Sequence, residues 1–198
     1  MKKFKVILLV IIGFSTLTQA QTVVKIDLNK SVVNWSASYA FDFGGHEGTV
    51  KIKEGTLIKT GDKFTGGSFV VDMNTIANTD GGYSQNLVDH LKNEDFFEVD
   101  KYPTSGFEIT NVTYHKPNNT IFGSPVYIRI QGKLTIKGTT RPISFEAEIN
   151  PANTVIDGKF KIDRTIYGVN YQSKSTAGFV KDGIISDAIE FRVQLHLK

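Results

Sequence analysis

Residues 128–149 read IRIQGKLTIKGTTRPISFEAEI. Ile128, Ile130, Leu134 and Ile136 alternate with Arg129, Gln131, Lys133 and Lys137. Ile143, Phe145, Ala147 and Ile149 then alternate with Ser144, Glu146 and Glu148. A period of two puts one row of side chains on each face of a strand. Two such runs in succession, each apolar on one side and charged on the other, read as antiparallel strands with one dry face.

The same pattern extends in both directions. After a turn at Pro151-Ala152-Asn153, Phe160 and Ile162 alternate with Lys159, Lys161 and Asp163. A glycine- and serine-rich stretch, Tyr167 to Phe179, and a turn signal at Lys181-Asp182-Gly183 lead to the last strand. That strand sets Ile189, Phe191, Val193, Leu195 and Leu197 against Glu190, Arg192, Gln194 and His196. Upstream of a turn at Pro117-Asn118-Asn119, Phe107, Ile109, Val112 and Tyr114 share a face only if the register shifts once, which predicts a bulge. At the start, Val23 to Leu28 is a short strand, and Asn29-Lys30-Ser31 turns it. Val33, Trp35, Ala37 and Tyr39 then face inward, and Gly44 to Gly48 is a glycine-rich hairpin loop. Thr49 to Ile58 returns, Gly61-Asp62 turns, and Thr65 to Met73 follows with a bend or a close backbone approach at Gly66-Gly67. Asn74 to Gln85 is polar and reads as a loop. An antiparallel sheet this long must hide its apolar face and its edges. The expected fold is all-β: a single closed antiparallel barrel of about eight strands, with a sandwich as the alternative.

One stretch departs from alternation, LVDHLKNEDFFEVDKYPTSGFEI from Leu87 to Ile109. Leu87, Val88 and Leu91 share one side of a short helix, within a helical segment expected near residues 86–97. Asn86 suits its N-cap, and Asp89 suits its first turn. Lys101-Tyr102-Pro103 forces extended backbone again. The segment reads as a plug, with Phe96 and Phe97 inserted into the barrel mouth.

Residues 90–97, HLKNEDFF, with Lys101-Tyr102-Pro103 and Phe107, resemble a signature of the YceI-like family. Residues 132–143, GKLTIKGTTRPI, resemble a second one, and Ile162-Asp163-Arg164-Thr165 with Tyr167-Gly168-Val169 a third. The resemblance covers residues 21–198, and the blocks keep the family's order. It implies a lipocalin-like barrel that holds a polyisoprenoid lipid in a bacterial periplasm.

The N-terminus is expected to be a cleaved signal peptide over residues 1–20. Met1 to Lys5 is basic, Val6 to Leu17 is apolar, and Thr18-Gln19-Ala20 is a small-residue cleavage site. The apolar run is short for a membrane span. The chain contains no cysteine, so neither disulfides nor a thiol nucleophile are available. Removing Lys2, Lys3 and Lys5 from the 23 basic residues leaves as many as the 20 acidic ones. The formal charge of +3 is therefore that of the leader, and no cationic surplus remains for a nucleic acid.

Catalytic constellations are missing from the sequence. There is no Gly-x-Ser-x-Gly elbow and no glycine-rich phosphate loop opening a helix. His90 and Glu94 are spaced i, i+4, but no third or fourth metal ligand accompanies them, so they read as a solvated pair. Neither a metal nor a cofactor is expected, and the protein is expected not to be an enzyme. The informative feature is aromatic. Trp35, Tyr39, Phe69, Phe107, Phe145, Phe160 and Phe191 all fall in the inward phase, as does Ile130. Periodicity alone does not separate a filled core from a lined tunnel. The resemblance favours a tunnel, occupied by an isoprenoid quinone or polyprenyl phosphate. Its polar end is expected near His46, His90 and Arg164, Arg164 being the cation for a diphosphate, unless it pairs with Asp163 or a loop acid. Transient membrane contact and a homodimer are both compatible with this reading.

Overall fold

The computed structural model of the chain describes residues 19–41, 43–81, 85–115, 124–176 and 183–198. Residues 1–18 of the expected leader, the Pro117-Asn118-Asn119 turn and the Lys181-Asp182 half of the last turn lie outside those residues.

The strands are β1 (Gln21–Lys25), β2 (Val32–Tyr39), β3 (Gly45–Thr60), β4 (Lys63–Asn78), β5 (Thr104–Tyr114), β6 (Val126–Ile136), β7 (Thr139–Ile149), β8 (Val155–Asp163) and β9 (Ile185–His196). Helix α1 (Gln85–Lys92) lies between β4 and β5, and a 3₁₀ turn, Arg164–Tyr167, follows β8. Every pairing is antiparallel. The order β3-β2-β9-β8-β7-β6-β5-β4 closes through β3–β4 pairing into an eight-stranded barrel. β1 and β2 lie on the same edge of β3, β1 against Thr56–Thr60 and β2 against Gly45–Val50. They form one barrel strand interrupted by a turn at Asp27–Lys30, where Ser31 N bonds Asp27 O at 3.0 Å.

The opening stretch behaves as its pattern demands. β6 and β7 pair from Val126–Ile149 to Ile136–Thr139 without interruption. Their connection is Lys137-Gly138, both with positive φ (48° and 71°), the backbone twist that a two-residue hairpin requires. The bulge expected in β5 lies between Ile109 and Asn111.

Other boundaries move. Gly44 to Gly48 is not a loop: β3 begins at Gly45, and Gly48 pairs with both Trp35 and Asn78. Asn74 to Asn78 is likewise strand. The irregularity in the β3–β4 ladder at Thr49/Lys51 places extra residues on β4, so that its buried phase passes from Val71 and Met73 to Ile76 and Asn78. Polar composition hid a strand whose inward phase restarts after a bulge. α1 begins at Gln85, so Asn86 lies inside it and Asp89 is beyond the first turn, where its carboxylate accepts from Gln85 Nε2 at 2.7 Å. Val88 and Leu91 are its buried residues.

The loops group at two ends. One end carries the β2–β3 connection, α1, the β6–β7 turn and the 3₁₀ turn; the other carries the β3–β4 and β7–β8 turns and the C-terminus. On the outer wall, Asp157 of β8 accepts from Arg192 Nη2 at 2.7 Å and Gln194 Nε2 at 2.8 Å, both on β9. Burial alone would push the Asp157 carboxyl up, but the bonds from Arg192 and Gln194 outweigh it and hold it below the usual aspartate range. A depressed native pKa stabilises the fold above about pH 4, where the unfolded aspartate is also ionised, and that stabilisation fades as pH falls through the native value. Asp157→Asn should therefore flatten the acid limb of a plot of Tm against pH between pH 5 and 2. An unchanged limb would place the acid sensitivity elsewhere.

Candidate functional site

The barrel interior contains an apolar cavity of about 120 Å³ that reaches α1 and the first residue of β9. Its wall is built from the inward phase of the strands. Trp35, Phe69, Phe107, Ile130, Phe145, Phe160 and Phe191 line it, as do Phe96 and Phe97 behind α1. The rings form an arc in which neighbours touch. Centroids are 5.7 Å apart for Phe69–Phe107 and for Phe107–Phe145, 4.6 Å for Phe145–Phe160, and 5.5 Å for Phe160–Phe191.

The arc leaves space in the middle because three rings lie against glycines. A Cβ on Gly132 would stand 2.3 Å from Phe107 Cζ, one on Gly158 2.8 Å from Phe145 Cε2, and one on Gly48 2.5 Å from Trp35 Cζ2. No real Cβ stands so close to another atom, so each glycine is the seat of the ring above it. Eight strands enclose a bore that side chains can fill completely. Here the largest side chains lie back on the wall instead. Sequence reading missed these glycines; their signal was an inward-phase gap beside an aromatic on the next strand.

A family model described as YceI-like domain matches residues 24–197. The chain belongs to the YceI-like domain family. Among solved structures it is similar to BcnA of Burkholderia cenocepacia, at 19% identity and a TM-score of 0.61, over 86% of this chain and 98% of that one. It is similar to a polyisoprenoid binding domain from Saccharophagus degradans at 13% identity and a TM-score of 0.61, over 88% and 97%. A Campylobacter jejuni YceI protein matches at 17% identity and a TM-score of 0.50, over 100% and 99%. At these identities the likeness is one of fold. No curated protein sequence matches the chain.

In this YceI-like barrel, three of the residues expected at the site, Tyr39, His46 and His90, do not line the cavity. Tyr39 lies past a register shift between Ala37 and Tyr39 on the β2–β9 ladder, at the end of β2, and is 36% exposed. It meets the ring of His46 edge-on at 6.5 Å. His46 sits on β3 rather than in a loop, with Nδ1 2.7 Å from Asp80 Oδ2. His90 pairs with Asp95 at 3.0 Å, not with Glu94. Its ring lies edge-on to Phe96 and Tyr171. Among the described residues no cluster of three His, Cys, Asp or Glu could hold a metal ion.

Arg164 does reach the cavity wall, at 1% exposure. Its neighbours are main-chain carbonyls: Nε donates to Ser186 O (3.0 Å), Nη1 to Val169 O (2.9 Å) and Nη2 to Ile185 O (3.2 Å). Asp187 Oδ1 is 3.6 Å from Nη2. Asp163 is not its partner. That carboxylate caps the 3₁₀ turn, accepting from Thr165 N and Oγ1. Burial lowers the Arg164 pKa, and the charges of Asp187 and Asp163 oppose the shift. Arg164 thus fastens the 3₁₀ turn to the start of β9.

The plug closes the α1 end. Phe96 is buried and Phe97 half-buried. Glu98 N bonds Asn93 O and Val99 N bonds Lys92 O, both at 2.8 Å. From the β6–β7 turn, Lys137 Nζ donates to Glu94 O at 3.0 Å, and Gly138 packs on the Tyr102 ring. Truncating Phe97 to alanine should cost about 1.5–3 kcal/mol, read as a lower denaturation midpoint. Because Phe97 also lines the cavity, release of a bound lipid should quicken as well. Wild-type stability together with wild-type release would refute both roles.

Proposed function

We propose that the protein binds a single long isoprenoid lipid, chain inside the barrel, and carries it in the bacterial periplasm without catalysing a reaction on it. The observation that carries this reading is the set of rings seated on Gly48, Gly132 and Gly158, which keeps an apolar bore open where the same side chains could have filled it. The family and the polyisoprenoid binding domain of similar fold support it. Each methylene transferred from water contributes about 0.8 kcal/mol, so a prenyl chain gains affinity from length alone. An apolar cavity of ~150 Å³ takes up benzene, so 120 Å³ suits about one isoprene unit, and a longer chain must push rings aside.

A neutral head such as a quinone fits the site better than a diphosphate. Arg164 and Asp187 cancel in charge, and Arg164 is already committed to three carbonyls. The expected periplasmic location rests on the leader. Among the described residues no helix is long and apolar enough to cross a membrane. Membrane contact is supported by the β2–β3 connection at the α1 end, where Phe41 is 60% exposed and Phe43 fully exposed.

Mass spectrometry of an organic extract of the purified protein is the test. A prenyl lipid in stoichiometric amount is expected. The cavity is smaller than the ~300–1,000 Å³ of usual ligand sites, which favours a second reading: an interaction or envelope-stress module with a near-filled core. A lipid-free extract with no uptake of added farnesol or ubiquinone would select that reading.

A further inference from the structure

One wall of the barrel is incompletely joined. β7 and β8 pair only at Ala147–Gly158, Glu148–Asp157 and Ile149–Ile156. From there towards the α1 end, β7 stays paired with β6 as far as Thr139, and β8 stays paired with β9 as far as Asp163. No ladder joins Thr139–Glu146 to Lys159–Asp163. Pro142, within that part of β7, has no N–H to offer a neighbour.

What spans this seam is side chains. The stacked rings of Phe145 and Phe160, 4.6 Å apart and inclined by 27°, bridge the two strands, and both face the cavity. On the outer surface the charges are satisfied on their own sides. Glu146 of β7 pairs with Arg129 of β6 and with His115, while Lys159 and Lys161 of β8 share Glu190 of β9. At the top of the seam, Arg164 fastens the 3₁₀ turn to β9, not to β7. The Tyr167 hydroxyl there is buried without a hydrogen-bond partner. The α1 plug, by contrast, is tied by main-chain bonds, by Lys137 and by its buried side chains.

Breaking a β-ladder strips several buried peptide groups of partners at once, whereas parting two stacked rings strips none. We propose that the isoprenoid chain enters and leaves the cavity sideways, through the β7–β8 seam, with Phe145 and Phe160 as the gate and α1 in place. This rests on the lipid-binding reading. It assigns to that site a route which bypasses the plug.

The cysteine-free chain lends itself to a bridging test. Continuing the β7–β8 register places Ser144 opposite Lys161, both exposed. In Ser144→Cys/Lys161→Cys, joining the thiols with a short bifunctional reagent should slow both uptake and release of a dansyl-labelled farnesyl probe at least tenfold. The probe is delivered from phosphatidylcholine vesicles, and the unbridged variant is the reference. Two controls should exchange within twofold of their unbridged forms. One is Gln131→Cys/Ser144→Cys, across the complete β6–β7 ladder; the other is Glu98→Cys/Lys137→Cys, which ties the plug. Equal rates before and after bridging the seam would overturn the proposal, as would slowing by the plug bridge alone. A probe that binds none of the unbridged proteins would instead overturn the lipid-binding reading, and the route with it.

Discussion

Arg164→Ala should destabilise the barrel by about 3–5 kcal/mol, because hydrogen bonds from a charged group contribute roughly 1.5–3 kcal/mol each and a buried acceptor left unpaired costs about 1–3 kcal/mol. Three carbonyls, of Val169, Ile185 and Ser186, lose their donor, and Asp187 is left as a half-buried carboxylate without its cation. The readout is the midpoint of denaturant unfolding. Arg164→Lys should recover only part of the loss, because an ammonium cannot reproduce a planar fork aimed at three acceptors. The same variants separate structure from recognition. If Arg164 serves the fold alone, folded Arg164→Lys should bind ubiquinone and a prenyl diphosphate in the wild-type ratio. A selective loss of diphosphate binding would restore the headgroup role expected from its position after β8.

The second large effect is expected at Gly132. An alanine there places a methyl 2.3 Å from Phe107 Cζ and 2.4 Å from the carbonyl oxygen of Glu108. The ring can rotate away but the carbonyl cannot, so the cost should fall near the upper end of overpacking, about 3 kcal/mol. Gly158→Ala is the informative contrast. Its methyl meets side-chain atoms only, Phe145 at 2.8 Å and Ala147 Cβ at 3.4 Å. Stability should drop by about 1 kcal/mol, while the Phe145 ring is pushed into the bore. Lipid affinity, measured by titrating a fluorescent prenyl probe, should therefore fall at least tenfold. Gly158→Ala with full affinity would mean that the ring does not border the ligand.

Much of the barrel was legible because its signal is local. Alternation over Ile128–Ile149 specifies two strands, a dry face and a register without reference to the rest of the chain. Features that depend on partners distant in sequence were not legible. The shift at Ala37/Tyr39 exists only against β9, and Tyr39, which lies past it, is at the rim and not on the cavity wall. The strand character of Asn74–Asn78 exists only against β3, past the irregularity at Thr49/Lys51. Arg164 invites pairing with the adjacent Asp163, yet its partners are Val169 and Ile185–Asp187, the latter across a connection that no periodicity encodes. The plug's content was legible, Phe96 and Phe97 being cavity-facing, but its polar partners were not: His90 turned to Asp95 rather than Glu94.

The interrupted first strand also has a bearing on how the chain reaches this fold. β2 must pair with β9, and Ile26 bridges to Leu197, so residues near the beginning meet residues near the end. Such long-range closure is slow, because loop entropy is spent before the contacts form. A chain emerging from a ribosome or a membrane pore cannot shut its barrel until the C-terminal segment is out. Until then β2 and β8 are both open edges, flanking an unfilled apolar trough that invites pairing between molecules. Nascent forms lacking β9 are thus the species most in need of a chaperone.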